Sequence, residues 1–234
     1  MKRLDVVTTA LCRPELLALT YRSFFGPAGL ADLPSLRIII NIDPLGDADP
    51  YKCVEVACKY SNDVVYRVSK VPNFAVAVNW CVDNILADHV LWLEDDWLLT
   101  RQIAYPALLD YLQKSMAHQV LLPMKRLRDR NLKYSFRPHL GKTSVIKNVS
   151  PVPSDYNPEK WFSNYLGGEC STDFPKEYMI KDLGRKWAKS QGLKKGTSID
   201  GPWFLRREQT CLRRIEFFLY RVKAKAHLFM RELF

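Results

Sequence analysis

Apolar and polar positions alternate between two patterns along the first 125 residues. Leu4-Asp5-Val6-Val7-Thr8-Thr9-Ala10 is a β-rich opening segment. Pro14 then sits in the first turn of a helix whose apolar positions are Leu16, Leu17, Thr20 and Phe24. Gly26, Pro27 and Gly29 end it. Leu36 to Asp43 is continuously apolar until its last residue, as expected of a strand covered on both faces. A helix over residues 51–60, a strand over 63–68 and a helix over 73–86 follow. His89-Val90-Leu91-Trp92-Leu93 is the next strand, Thr100 is placed to cap a helix running to about Ser115, and His118 to Met124 is a further strand. Such strand–helix alternation predicts an α/β fold with a mostly parallel sheet flanked by helices. Beyond it, Asp173 is placed to cap a helix over residues 174–191, and residues 203–234 read as a basic amphipathic helix.

The strand at residue 89 ends in Glu94-Asp95-Asp96, with Trp97 next. Neighbouring carboxylates repel, and an ionised acid is costly to bury without a partner. Three acids at the tip of an apolar strand therefore call for a cation or a set of donors. The crevice beyond the carboxyl ends of an open α/β sheet is also where ligands bind. A hard divalent ion held by one or two carboxylates plus substrate phosphates meets both conditions. The alternative is an exposed acidic turn after a core strand.

Composition narrows the class. The 234 residues are 47% hydrophobic and 26% charged, ordinary for a globular chain able to bury a core. No apolar run approaches the roughly 18 residues of a membrane span, and Met1-Lys2-Arg3 leads into a strand rather than a signal peptide. The six cysteines include no C-x-x-C pair and are expected to be buried free thiols in a reducing, cytoplasmic setting. The four histidines are too scattered for a zinc site. The formal charge of +10 is unevenly spread: residues 125–147 carry +7 and residues 181–234 carry +9, which leaves the remainder acidic. An acidic centre beside two basic segments suggests a cation-assisted site and an anionic partner.

Taken together, Thr8-Thr9-Ala10-Leu11-Cys12-Arg13-Pro14-Glu15, a strand ending in Asp43, and Leu93-Glu94-Asp95-Asp96 resemble a GT-A-fold glycosyltransferase. The similarity is to the family 2-like enzymes and to N-acetylglucosaminyltransferase I, which also carries an acidic triplet after an apolar strand. It spans roughly residues 4–125. It implies a Rossmann-like GT-A domain over residues 1–200, with a nucleotide-sugar-binding half (1–125) and an acceptor half (125–200), followed by the C-terminal helix. It implies a donor such as a UDP-sugar and an Mn²⁺ or Mg²⁺ ion. Thr8 and Ala10 would face the nucleotide, Arg13 and Asp43 would contact uracil or ribose, and Asp96 would be the direct metal ligand. Glu94 and Asp95 would bind ribose and donor sugar or the water shell of the ion, and Asn79 is a further candidate donor contact.

An inverting transfer also needs a carboxylate base within reach of the acceptor hydroxyl. Glu169, after Gly167-Gly168, and Asp173 both qualify, with the N-cap role as the competing account of Asp173. For the acceptor, Arg126, Arg128, Arg130, Lys133, Tyr134 and Arg137 have the composition of a nucleic-acid contact. A hydroxymethylated pyrimidine in DNA would suit them. The competing expectations are a surface-polysaccharide enzyme lying on anionic lipid through its C-terminal helix, and a non-catalytic nucleic-acid-binding protein. Arg13 pairing merely with Glu15, and a solvated His139, are the plainer readings of those residues.

Overall fold

The protein is described by a computed structural model covering residues 3–124, 134–167, 170–175 and 178–190, with two short strands beyond. Strand β1 (Arg3–Leu11) leads to helix α1 (Pro14–Phe25), and the two-residue β2 (Leu30–Ala31) precedes β3 (Ser35–Asp43). Helix α2 (Tyr51–Cys58), β4 (Val64–Val68), α3 (Phe74–Asp83) and β5 (His89–Trp92) follow. After the acids come β6 (Trp97–Leu99), β7 (Ile103–Ala104), α4 (Tyr105–Lys114) and β8 (Gln119–Leu121). The later chain contributes β9 (His139–Lys142), α5 (Thr143–Val149), α6 (Pro158–Leu166), β10 (Ser171–Asp173), β11 (Ile180–Asp182) and α7 (Gly184–Ser190). Lys194–Lys195 (β12) and Leu205–Arg206 (β13) pair antiparallel.

Seven strands form one sheet in the order β10-β8-β9-β5-β1-β3-β4. All neighbours run parallel except β9, which is antiparallel to both β5 and β8. Side chains alternate between faces, so two apolar layers form. Leu4, Val6, Ile38, Ile40, Ile42 and Leu91 pack on the side of α1, α2 and α4. Val7, Ile39, Val90 and Trp92 pack on the side of α3, α5 and α6. This sandwich is the α/β architecture expected from the alternating pattern.

The chain leaves β1, adds β3 and β4 on one side, and returns to place β5 on the other. The strand order therefore reverses between β1 and β5, and a crevice opens at their carboxyl ends. The ends of β1, β3, β4, β5, β8 and β10 and the beginning of β9 all lie at that edge. At the opposite edge, Asp5 is fully buried and its Oδ2 accepts from the backbone N–H of Leu86 and Ala87 at 2.5 and 3.0 Å. Arg37 reaches the same oxygen at 3.4 Å and the Asn84 carbonyl at 2.7 Å, fixing the entry to β5.

Several local expectations are corrected. Helix α4 starts at Tyr105, with Pro106 in its first turn; Thr100 does not cap it but donates to the Met179 carbonyl at 3.0 Å. Among the described residues between 174 and 183 none is helical. Phe174 packs edge-on against Tyr111, and Ile180–Asp182 pair antiparallel with Trp97–Leu99. Apolar residues that look helical in spacing are thus drawn to separate surfaces, and helix begins only at Gly184. Asp173 is accordingly the last residue of β10, not an N-cap. Of the expected helix over residues 203–234, Leu205–Arg206 is strand and the remainder lies outside the described residues. Cys12, Cys53, Cys81 and Cys170 are buried free thiols, Cys58 is an exposed one, and Cys211 lies outside the described residues.

The largest correction concerns the basic segment. Tyr134 and Phe136 are each 1% exposed and pack with Trp92, Phe162 and His139 in one aromatic cluster. Tyr134 is therefore core, not a surface on which a base stacks. His139 is fully buried, parallel to the Trp92 ring, with its Nδ1 2.8 Å from the Arg137 carbonyl. Burial pushes its pKa down to about 4.

Two measurements check this core. Phe136→Ala should cost about 3–5 kcal/mol in chemical denaturation, the usual loss for a buried aromatic. Acidification should also weaken the fold through His139. The unfolded chain takes up that proton below about pH 6.5, whereas the folded chain resists until about pH 4. Stability is therefore intact above about 6.5 and lost progressively between those values, by up to about 3 kcal/mol. Denaturation midpoints that stay flat from pH 7 to pH 4.5 would contradict it.

Candidate functional site at the carboxyl edge of the sheet

The acidic triplet follows β5 directly, where backbone pairing with β1 continues for one more residue: Leu93 N–H donates to the Val7 carbonyl at 2.8 Å. Beyond it the chain turns, so the acids lie at the switch point beside the loop leaving β1. Asp95 is 2% exposed and Asp96 3%. Both sit in the interior, so the exposed-turn alternative does not hold for them.

The cation that the triplet calls for is supplied by the chain itself. Arg13, 4% exposed, folds its guanidinium back over the end of the sheet. Its Nε donates to Asp95 Oδ2 at 3.0 Å, and its Nη2 bonds Asp95 Oδ1. The same Nη2 lies 3.3 Å from Asp96 Oδ2. Leu11 N–H adds a third bond to the Asp95 carboxylate, on Oδ2 at 3.0 Å, and Thr20 donates to the Asp95 carbonyl at 2.9 Å. Burial pushes the Asp95 carboxyl up from its ordinary value, against the pull of Arg13. For Arg13 itself burial opposes the charge, but the two carboxylates outweigh it and keep the guanidinium protonated. A fork of this kind matches a carboxylate in two places at once, which lysine cannot do.

Two elements distant in sequence close the site. Asp182 of β11 pairs with Trp97, and Leu183 N–H donates to the Asp96 carbonyl at 2.8 Å. The next residue, Gly184, lies so close to Asp96 that a Cβ placed there would overlap the carboxylate. Trp187 covers the guanidinium, its ring centre 5.0 Å from Arg13 Cζ, and its Nε1 donates to Glu15 Oε1 at 3.0 Å. Gly184 and Trp187 carry no local motif; only the β6–β11 pairing brings them here. Glu15, expected to pair with Arg13, instead anchors the tryptophan.

The remaining expected residues fall in three groups. Thr8 is fully buried with its hydroxyl 2.8 Å from Tyr21 Oη, and Ala10 is buried near the end of β1. Asp43 ends β3; its Oδ1 accepts from Asn41 Nδ2 at 2.9 Å and its Oδ2 from Asn73 N–H at 3.0 Å. Burial pushes its carboxyl above the ordinary value, and bonds from Ser69, Asn41 and Asn73 oppose the rise. Cys12 N–H donates to the Leu45 carbonyl at 2.9 Å and so draws the loops after β1 and β3 together, and Gly46, at φ 118°, leaves out the Cβ that would collide with the Cys12 carbonyl. Glu94 Oε2 accepts from Trp97 Nε1 at 3.1 Å.

Asn79 is committed elsewhere: its amide donates to the Val152 carbonyl and accepts from Val152 N–H, each at 2.7 Å. It clamps the segment after α5 rather than facing the crevice residues above. Arg137 is 7% exposed and ion-paired with Asp173. The expected base and one expected acceptor contact thus bind one another at the carboxyl edge. Glu169, Arg126, Arg128, Arg130 and Lys133 lie outside the described residues.

A divalent ion of the Mg²⁺ or Mn²⁺ type takes one or two carboxylates and completes its shell with phosphate and water. The donor set here is of that kind: hard oxygens of Asp96, with Glu94 two residues before it. Asp95 is already spent on Arg13 and Leu11. Among the described residues no three His, Cys, Asp or Glu side chains converge as a self-sufficient cage. An ion held by the described residues would therefore complete its shell with oxygens from elsewhere.

No protein-family model matches the chain, and no curated protein is similar to it in sequence. Solved structures are similar in fold. TarS 1–349 of S. aureus superposes with a TM-score of 0.57 at 14% identity, over 81% of this chain and 63% of that one. A second structure of TarS 1–349, in complex with UDP-GlcNAc, gives 0.54. The mannosyltransferase PcManGT from Pyrobaculum calidifontis, in complex with GDP-Man and Mn²⁺, gives 0.59 at 13% identity, over 81% and 61%. A putative glucose-1-phosphate thymidylyltransferase from Bacillus anthracis gives 0.50 at 12% identity, over 77% and 90%. This chain spans about three fifths of the length of the TarS and PcManGT chains. On these superpositions and its own strand order, the chain has the GT-A-like glycosyltransferase fold.

Proposed function

We propose that the protein is a glycosyltransferase that moves a sugar from a nucleotide-diphosphate donor, with a UDP-sugar as the first candidate, to a hydroxyl acceptor. The observation that carries this reading is the convergence of Asp43, Arg13 and the Glu94-Asp95-Asp96 triplet at the switch point of a GT-A-like sheet. The nucleotide-bearing structures named above support it by likeness of fold.

Transfer builds negative charge on the leaving diphosphate while the sugar carbon gains cationic character. A bound Mn²⁺ or Mg²⁺ supplies Lewis-acid stabilisation of that diphosphate. In this chain Asp96 would hold it, with Glu94 as the second candidate. The other residues prepare the site. Arg13 and Leu11 N–H fix Asp95 and so set the turn on which Asp96 stands. Gly184 packs against Asp96 and Trp187 lies over the Arg13 guanidinium, and burial of the acids strengthens the charge interactions among them. Asp43 offers a buried carboxylate at the adjacent strand end for a base or ribose group.

The loop after β1 favours this reading over a nucleotidyltransferase one. Leu11-Cys12-Arg13-Pro14 passes into α1 at once, without the glycine-rich phosphate loop that such chemistry would want. The base remains a choice between Glu169 and Asp173; the Arg137 pair favours Asp173 as a carboxylate held in place at the edge. The acceptor we propose is a hydroxymethylated pyrimidine in DNA, supported by the charge of the basic segments but no longer by stacking on Tyr134. A surface-polysaccharide acceptor at a membrane face is the second reading; among the described residues no helix is long and apolar enough to cross a membrane.

Incubation with a panel of nucleotide sugars and Mn²⁺ should release nucleotide from one of them, and a chelator should abolish the release. Asp96→Asn should lower that turnover by about a hundredfold or more while the protein stays folded. Gly184→Ala, which pushes a methyl into the same carboxylate, should lower it in the same direction. No turnover of any donor, together with no binding of UDP or GDP, would overturn the reading. Hydroxymethylated DNA should gain hexose mass where unmodified DNA gains none.

A further inference from the structure

The position of Arg13 has a consequence beyond transfer itself. Its backbone starts α1, with the N–H of Leu16 and of Leu17 both donating to the Arg13 carbonyl at 3.1 Å. The side chain therefore springs from a fixed point, and its guanidinium is held between two carboxylates on one side and the Trp187 ring on the other. The side chains of Arg13, Asp95 and Asp96 are 5%, 3% and 4% exposed. In such a setting one unit of positive charge bridging both acids raises the cost of bringing in a second cation. It also leaves the pair with a single net negative charge.

We propose that Arg13 is a built-in counter-ion: it offsets one of the two acidic charges when no donor is present, so the protein takes its divalent ion together with a nucleoside diphosphate and not alone. The part of this concerning the diphosphate rests on the function proposed above; the part concerning Arg13 and the ion does not. The diphosphate's own charges tip the balance, because they add oxygens to a site where the described residues bring no cluster of three ligands. The same arrangement keeps the buried acids paired in the empty protein, where two ionised carboxylates facing one another would otherwise loosen the end of β5. Arg13 is a positioning and charge-balancing residue in this account and touches no reacting atom.

The test is titration of Mn²⁺ alone, followed by the paramagnetic signal of the free ion and by thermal melting, on the wild type, Arg13→Gln and Arg13→Lys. The wild type should bind Mn²⁺ weakly alone and at least about tenfold more tightly with UDP present. Arg13→Gln should bind Mn²⁺ alone at least about tenfold more tightly than the wild type, and its melting temperature should rise with the ion. Arg13→Lys keeps the charge but not the fork and should bind Mn²⁺ alone more weakly than Arg13→Gln. Tight binding of Mn²⁺ alone by the wild type overturns the proposal and needs no variant to fold. Weaker or unchanged binding by Arg13→Gln also overturns it. If neither UDP nor GDP binds under any condition, the donor reading fails, while the comparison of wild type and Arg13→Gln in Mn²⁺ alone still decides the role of Arg13.

Discussion

Everything at the carboxyl edge of this sheet depends on how one chain buries two adjacent carboxylates. Asp95 and Asp96 leave β5 at the point where strand order reverses, inside the fold and next to one another. Left unpaired, such a pair would either take up protons or force the strand end into water. The Arg13 fork, the Leu11 N–H and the Thr20 hydroxyl remove that penalty. Once they do, the rest of the arrangement follows: the loop after β1 is fixed by its bond to Asp95, α1 is fixed by the loop, and Trp187 gains a flat cation to lie on. The site is built as a by-product of balancing charge.

The second organising fact is the division of labour between the two faces of the sheet. The face carrying α1, α2 and α4 is aliphatic and supports the loops that end in Arg13 and Asp43. The opposite face is aromatic around Trp92, and it takes in Tyr134, Phe136 and His139, residues that composition alone assigns to a basic surface. The buried neutral histidine shows how firmly that face is closed, since burial keeps its proton off well below the ordinary imidazole range. Among the described residues β9 is the one antiparallel strand of the main sheet; it lies between β5 and β8, and Arg137, two residues before it, pairs with Asp173.

Much of this was legible from hydrophobic period alone. The first five long elements, the ending of β3 on Asp43 and the ending of β5 on three acids follow from local runs, because a strand covered on both faces must be continuously apolar. The demand for a counter-charge was equally legible, but not its source. A metal and an arginine satisfy the same electrostatic need, and no spacing rule tells them apart. Arg13 stands 82 residues before Asp95 in the chain. Residues 174–183 misled for a related reason. Phe174, Met179 and Ile180 have apolar spacing compatible with a helix, yet each is claimed by a different partner, Tyr111, Pro123 and Leu99.

What the amino-acid sequence determined by itself is the layered α/β architecture and the placing of carboxylates at strand ends, because both are written in short-range alternation of apolar and polar residues. What the tertiary structure decided is which groups meet there: Arg13 on Asp95 and Asp96, Gly184 and Trp187 over them, Tyr134 and His139 withdrawn into the core. Those meetings are settled by strand order and by the pairing of β6 with β11, which join segments far apart in the chain. Ion pairing and burial act through space, and they leave no periodic trace in the residues that take part.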